Sequence, residues 1–236
     1  MYINFTHRFF TGATTGANLS VSPPRGFPWP SPTNEPLAFL EVGRDSEISH
    51  NFGGRSNPTE VSVIVDIIGR VINAGDVHAE NIAIITPYSK QVQLFRTELS
   101  NASRNIGSKI SDVKVGTVDS YQGQETDLVI FSGVRSNLMK ELGFLRDSRR
   151  LNVAITRAKR GLIVVGDPTV LRTCKHWSAL LDSCSDRGCT MTQREYNNHM
   201  QAAPLDATPS DERRRRLSSL ELDMDDEFYG LFSDED

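Results

Sequence analysis

No run of apolar residues in this sequence approaches the length that crosses a bilayer, so no membrane-spanning helix is expected. The opening residues, MYINFTHRFF, lack the basic and apolar regions of a secretory leader. Cysteine is scarce. Cys174, Cys184 and Cys189 are odd in number, loosely spaced and without a C-x-x-C pair. They support neither a disulfide framework nor, even with His176 nearby, a zinc site, so no metal ligands are expected. Such cysteine usage fits a reducing compartment, cytoplasmic or nuclear. No internal repeat is visible.

What is present suffices for one sizeable core: 236 residues, 38% of them hydrophobic. The net charge of −4 is unevenly placed. From Leu205 onward there are eleven acidic residues and four arginines, a balance of −7, which leaves +3 on the rest of the chain. Between Arg135 and Lys175, ten Lys and Arg stand against three Asp and Glu. A basic region of this kind suits an anionic partner or a solvated charged face.

Residues 1–36 are rich in Gly, Pro, Ser and Thr around SPPRGFPWPSP and read as an irregular segment that Phe27 and Trp29 pack onto the domain. Strands and helices then alternate. LAFLEV is a short strand. SNPTEVSVIVDIIGRVINAGD is a helix with Asn57 as its cap, Pro58 in its first position, Glu60 in the capping-box place and Gly75 at its stop. Its expected buried stripe is Val61, Ile64, Val65, Ile68 and Ile72. NIAIIT (81–86) is a central strand, followed by a helix through Gln91, Leu94, Phe95 and Leu99. VKVGTV, TDLVIFSGV and GLIVVGD are further strands, with a helix rich in arginine before the last, and one final helix carries Leu171, Trp177, Leu180 and Leu181. Strands separated by helices predict an α/β fold with a mainly parallel sheet. Such sheets bind ligands beyond the carboxyl ends of their strands. That rule singles out Thr86–Gln91, Thr117–Glu125, Gly133–Asn137 and the loop after Asp167 as one gathering of polar residues.

IAIITPYSKQ, VGTVDSYQGQETDLVIFSGVRSN and DSRRLNVAITRAKRGLIVVGD, in this order, resemble the second motor domain of superfamily 1 helicases of the up-frameshift and senataxin type. The likeness covers roughly residues 36–182. It implies a RecA-like three-layer sandwich over 37–189, with 190–236 left as a disordered tail, basic and then acidic. It also implies an ATP-dependent helicase activity on RNA or DNA. Arg157 would be the arginine finger that meets the γ-phosphate across a cleft, a role suited to a rigid guanidinium. Arg149 and Arg150 would hold acidic partners or orient the finger. Glu125 would lie on the nucleotide side, Gly123 would let backbone approach a ligand, and Gln122 would link the nucleotide and nucleic-acid sides. Thr117, Asp119, Tyr88, Lys90 and Arg135 are the candidates for meeting the phosphates of a single strand, with Asn137 beside them.

One element of that chemistry is missing. No G-x-x-x-x-G-K-[ST] occurs in the sequence, so the loop that cradles the nucleotide phosphates is absent, as is the acidic motif that holds Mg²⁺. The chain reads as the finger without the cradle. ATP and Mg²⁺ would be held mainly by a P-loop motor domain, in cis or in trans, and the chain alone is expected to be inactive. The alternative is a non-catalytic module that keeps the fold and binds nucleic acid or a helicase. In the tail, RRRRLSS suits a basophilic kinase at Ser218 or Ser219, or a nuclear address.

Overall fold

The computed structural model describes residues 22–43, 46–106, 109–121, 124–147, 152 and 156–202. The chain divides into two units, Met1–Tyr196 and Asn197–Asp236. Among the described residues no helix is long and apolar enough to cross a membrane.

Six strands form one parallel sheet in the order β5-β4-β6-β7-β1-β8. They are β1 (Leu37–Glu41), β4 (Ile82–Thr86), β5 (Lys114–Thr117), β6 (Thr126–Ser132), β7 (Ala158–Gly166) and β8 (Thr190–Thr192). A separate hairpin joins β2 (Ile48–Ser49) to β3 (Arg55–Ser56). The central strands are apolar on both faces, and all five residues of β4 are buried. On one face Phe39, Ile85, Phe131 and Val164 pack with Leu142, Leu145, Leu171, Trp177 and Leu181. The opposite face is covered by α1 (Pro58–Ala74) and α2 (Ser89–Ile106).

α1 forms where its signals place it. The Asn57 side chain accepts the Glu60 amide at 3.1 Å, and Gly75 closes the helix at φ 78°. Its buried face is wider than the expected stripe: Val63, Ile67 and Val71 are as deep as Val61, Ile64 and Ile68, whereas Val65 and Ile72 are half-buried. A helix lying across two strands buries more than a narrow seam.

Three sequence expectations change. β7 starts at Ala158, three residues before the apolar run, because the Thr126 amide donates to the Arg157 carbonyl at 3.0 Å and begins the β6–β7 ladder there. Arg160 is therefore a strand residue. The single final helix is two, α3 (Pro168–Leu171) and α4 (Lys175–Asp186), with Asp167 capping the first through the Thr169 amide at 2.8 Å. The ordered chain also continues past the boundary expected at residue 189. β8 adds to β1 with Phe39 opposite Thr190, and α5 (Gln193–Ala202) follows. Thr192 and Glu195 form a reciprocal capping box: the Glu195 carboxylate accepts the Thr192 amide at 2.7 Å, and the Thr192 hydroxyl accepts the Glu195 amide at 3.2 Å. The acidic stretch from Leu205 lies outside the described residues, as do Ser218 and Ser219.

The proline-rich segment packs as expected. Phe27 is buried between Trp29, at 5.0 Å, and Tyr196, at 6.1 Å. The Tyr196 hydroxyl donates to Asp66 at 2.7 Å. Trp29 covers Gly161, where a Cβ would come within 2.7 Å of its ring.

Candidate functional site

Because the strands are parallel, the sheet has a carboxyl edge and an amino edge. The structure divides the expected residues between them. Thr86 lies opposite Thr117 at the carboxyl edge. Tyr88 lies between β4 and α2 and Lys90 in the first turn of α2, Asp119 follows β5, and Arg135 follows β6. Glu125 and Arg157 stand at the other end, immediately before β6 and β7, where Thr126 is in register with Ala158. The polar residues thus form two groups rather than the single gathering expected at the strand ends. The segment from Thr117 to Thr126 runs from one edge to the other, with buried Val118 and Tyr121 holding it to the sheet.

At the amino edge, the backbone bond between Thr126 and Arg157 makes Glu125 and Arg157 neighbours along the backbone, each just before its strand. Arg157 is half-buried, and its guanidinium donates to the Thr156 hydroxyl at 3.0 Å. That hydroxyl donates in turn to the Asn152 carbonyl at 2.8 Å. Glu125 is exposed. A supported guanidinium on an accessible edge fits an anionic group. Gln122, Gly123, Arg149 and Arg150 lie outside the described residues. Arg160, by contrast, is bound to the fold. Its side chain is 17% exposed and meets Asp76 at 2.9 Å and the Asp76 carbonyl at 3.0 Å.

At the carboxyl edge, Thr117 is half-buried and its carbonyl accepts the Ser120 hydroxyl at 2.7 Å. Lys90 is exposed, with its ammonium donating to Gln93 at 3.2 Å. Asp119 is also exposed. Tyr88 and Arg135 differ from the expected phosphate contacts: they are 3% and 4% exposed. Arg135 donates to Glu47 at 2.9 Å and to the Tyr88 hydroxyl at 3.5 Å, and its other end faces Glu141 at 3.6 Å. Burial opposes the Arg135 charge, but its bonds to Tyr88 and Glu47 outweigh that cost and hold its pKa above the ordinary value. These two residues build the scaffold that carries the edge.

Sequence reasoning missed the residues that organise this scaffold. The Glu47 carboxylate accepts from Arg135, from the Ser136 amide at 2.8 Å and from the Asn137 side chain at 3.0 Å, and pairs with Arg55 at 3.5 Å. Glu60 does not close the expected capping box, because the Asn57 amide donates to Gln91 at 2.8 Å instead. It is fully buried and accepts the Ser132 hydroxyl at 2.6 Å and the Val134 amide at 3.0 Å. Burial pushes its carboxyl up to about 8. Val134 sits at φ 69°, a left-handed conformation that a β-branched residue rarely adopts. The sequence signal for this network is Glu60, and its capping-box position in the sequence hides the distant role.

A family model described as an AAA domain, AAA_12, matches residues 11–169. The chain belongs to that family, the C-terminal helicase domain of superfamily 1 helicases of the up-frameshift type. This helicase domain is 40% identical over 169 residues to the Regulator of nonsense transcripts 1 homolog of Neurospora crassa, covering 69% of this chain and 15% of that protein. It is 38% identical to the ATP-dependent helicase upf1 of Schizosaccharomyces pombe, covering 69% and 17%. It is 39% identical to the DNA-binding protein SMUBP-2 of Mesocricetus auratus, covering 70% and 16%. The domain thus spans about a sixth of the length of these relatives, and its parallel α/β sheet is of the RecA-like kind.

Proposed function

We propose that this chain acts as the second motor domain of an ATP-dependent helicase, bringing Arg157 to a nucleotide cradled by a separate P-loop domain and guiding single-stranded RNA or DNA along the opposite edge of its sheet. The observation that supports this reading is the backbone pairing of Thr126 with Arg157, which brings Glu125 and Arg157 to the starts of adjacent strands at one edge of the sheet.

ATP with Mg²⁺ supplies the phosphoryl group whose transfer drives the motor, and both are held mainly by the P-loop domain. The residues of this chain shape the environment of that transfer. The Arg157 guanidinium, braced by Thr156, supplies positive charge where negative charge develops on the transferred group. Glu125 accepts hydrogen bonds on the nucleotide side, near the ribose or the γ-phosphate. Arg150, and Arg149 beside it, orient the finger, and Gly123 leaves room for the nucleotide. At the carboxyl edge Thr117, Lys90 and Asp119 follow the strand without reading its sequence, over the scaffold of Tyr88 and Arg135. Gln122, between Thr117 and Glu125 in the sequence, links the nucleotide and nucleic-acid sides.

The test is ATP hydrolysis by the purified chain, alone and joined to a P-loop domain of the same family. Negligible turnover alone and nucleic-acid-stimulated turnover when joined support the reading. Helicase-like turnover by the chain alone, abolished by a substitution within it, contradicts the division of labour.

A further inference from the structure

The carboxyl edge carries apolar side chains that face outward. Phe52, at the tip of the β2–β3 hairpin, is 108% exposed. Its backbone is left-handed, at φ 56° and ψ 32°, an uncommon conformation for an aromatic residue. The following Gly53, at φ 76°, and the bond from the Gly54 amide to the Asn51 carbonyl complete the turn. The ring therefore points outward through a defined turn. Leu138 and Met139 are likewise exposed, at the tip of a turn closed by Asn137, which donates to the Glu141 carbonyl at 3.1 Å and accepts the Glu141 amide at 2.9 Å. Both tips are fastened at their bases to the buried Glu47 carboxylate, through Arg55 and through Asn137. A third apolar group, Phe144, is half exposed and lies 5.4 Å from the buried Tyr88 ring.

An exposed lysine stands beside each tip. The Lys90 stem lies against the hairpin, where a Cβ on Gly54 would come within 2.9 Å of its Cγ. Lys140 is exposed next to Met139. Glu141, the exposed acid in the described residues of these two turns, is paired with Arg135. Isolated apolar tips on a polar, cationic edge do not make the continuous stripe that a partner helix requires. They match a single strand of nucleic acid, whose phosphates meet cations while its unstacked bases lie on aromatic faces.

We propose that Phe52 is a base-stacking prong that extends the single-strand track, with Lys90 and Lys140 meeting the phosphates on either side of it. This rests on the strand-guiding role proposed for the carboxyl edge and adds contact with the bases themselves. Stacking tolerates any base, so the prong grips without selecting sequence. The rigid hub at Glu47 holds it at a constant height as the domain moves.

The test uses the full chain at low salt and two oligonucleotides of equal length, one with bases and one with an abasic backbone. The wild type is expected to prefer the base-bearing strand. Phe52→Ala is expected to lose about 5- to 100-fold in affinity for that strand, the range for one lost stack, with abasic binding and thermal melting unchanged. Phe52→Trp restores the preference. Lys90→Ala and Lys140→Ala weaken both strands alike and flatten the salt dependence. Wild-type preference in Phe52→Ala overturns the prong and leaves the track standing. No binding of either strand by the wild type overturns both.

Discussion

The carboxylate of Glu60 accepts the amide of Val134 at 3.0 Å and fixes that residue at φ 69°. The bond joins the start of α1 to the turn after β6, 74 residues along the chain. Val134 leads directly into Arg135, Ser136 and Asn137, the donors that Glu47 gathers. Replacing Glu60 with Ala removes the acceptor of three buried donors, the Ser132 hydroxyl, the Val134 amide and the Asn57 side-chain amide, and leaves a cavity. The expected cost is roughly 3–5 kcal/mol in urea unfolding, well above that of a surface change. A loss below about 1 kcal/mol means that the turn does not depend on Glu60.

The same residue gives the fold a pH dependence with a definite sign. Burial raises the Glu60 carboxyl from its ordinary 4.5 to about 8 in the folded chain. The folded state then holds the proton more tightly than the unfolded state does. The stabilisation is complete below about 4.5 and is lost as pH rises through about 8. Urea midpoints of the wild type should fall between pH 5 and 8 by more than those of Glu60→Gln, which has no proton to lose. Parallel pH profiles for the two proteins count against the assignment.

Arg160 contributes to stability. Its ion pair with Asp76 is largely shielded, at 17% and 20% side-chain exposure, and the guanidinium also holds the Ser22 and Asp76 carbonyls. Arg160→Ala should cost roughly 1–2 kcal/mol, between the values for exposed and buried pairs. Lys159→Ala, on an exposed side chain, should melt with the wild type. Identical melting of all three proteins removes the structural role of Arg160.

The sequence also carries a prediction in its charge. Residues 205–236 bear −7 and the rest of the chain +3. A chain ending at Pro204 should bind single-stranded nucleic acid more tightly than the full chain, with the gap closing as salt rises. Equal affinities across a salt titration remove competition by the tail.

How much was legible depends on how local each signal is. Asn57, Pro58, Glu60 and Gly75 define α1 because caps act within one turn of the chain. The apolar runs of β4, β6 and β7 define a buried parallel sheet because both faces are covered. β8 escaped notice because only Met191 of its three residues is buried, although Thr192 and Glu195 carry a readable capping box. The separation of Thr117 from Glu125 was hidden, since the seven mostly polar residues between them look like one loop whether they stay at an edge or cross the sheet. Arg135 looked like a phosphate ligand because its partner, Glu47, lies 88 residues away.

The central claim is that Arg157 acts on charge developing in the nucleotide rather than on the fold. The most direct measurement is ATP turnover, beside thermal melting, for the wild type, Arg157→Ala, Arg157→Lys and Lys159→Ala, each joined to a P-loop domain. Arg157→Ala is expected to lower turnover by roughly 10³- to 10⁵-fold with melting and single-strand binding near wild type. Arg157→Lys should recover only part of the loss, because an ammonium lacks the planar fork. Lys159→Ala should turn over like the wild type. Near-normal turnover in Arg157→Ala, or a loss that follows its unfolding, contradicts the account.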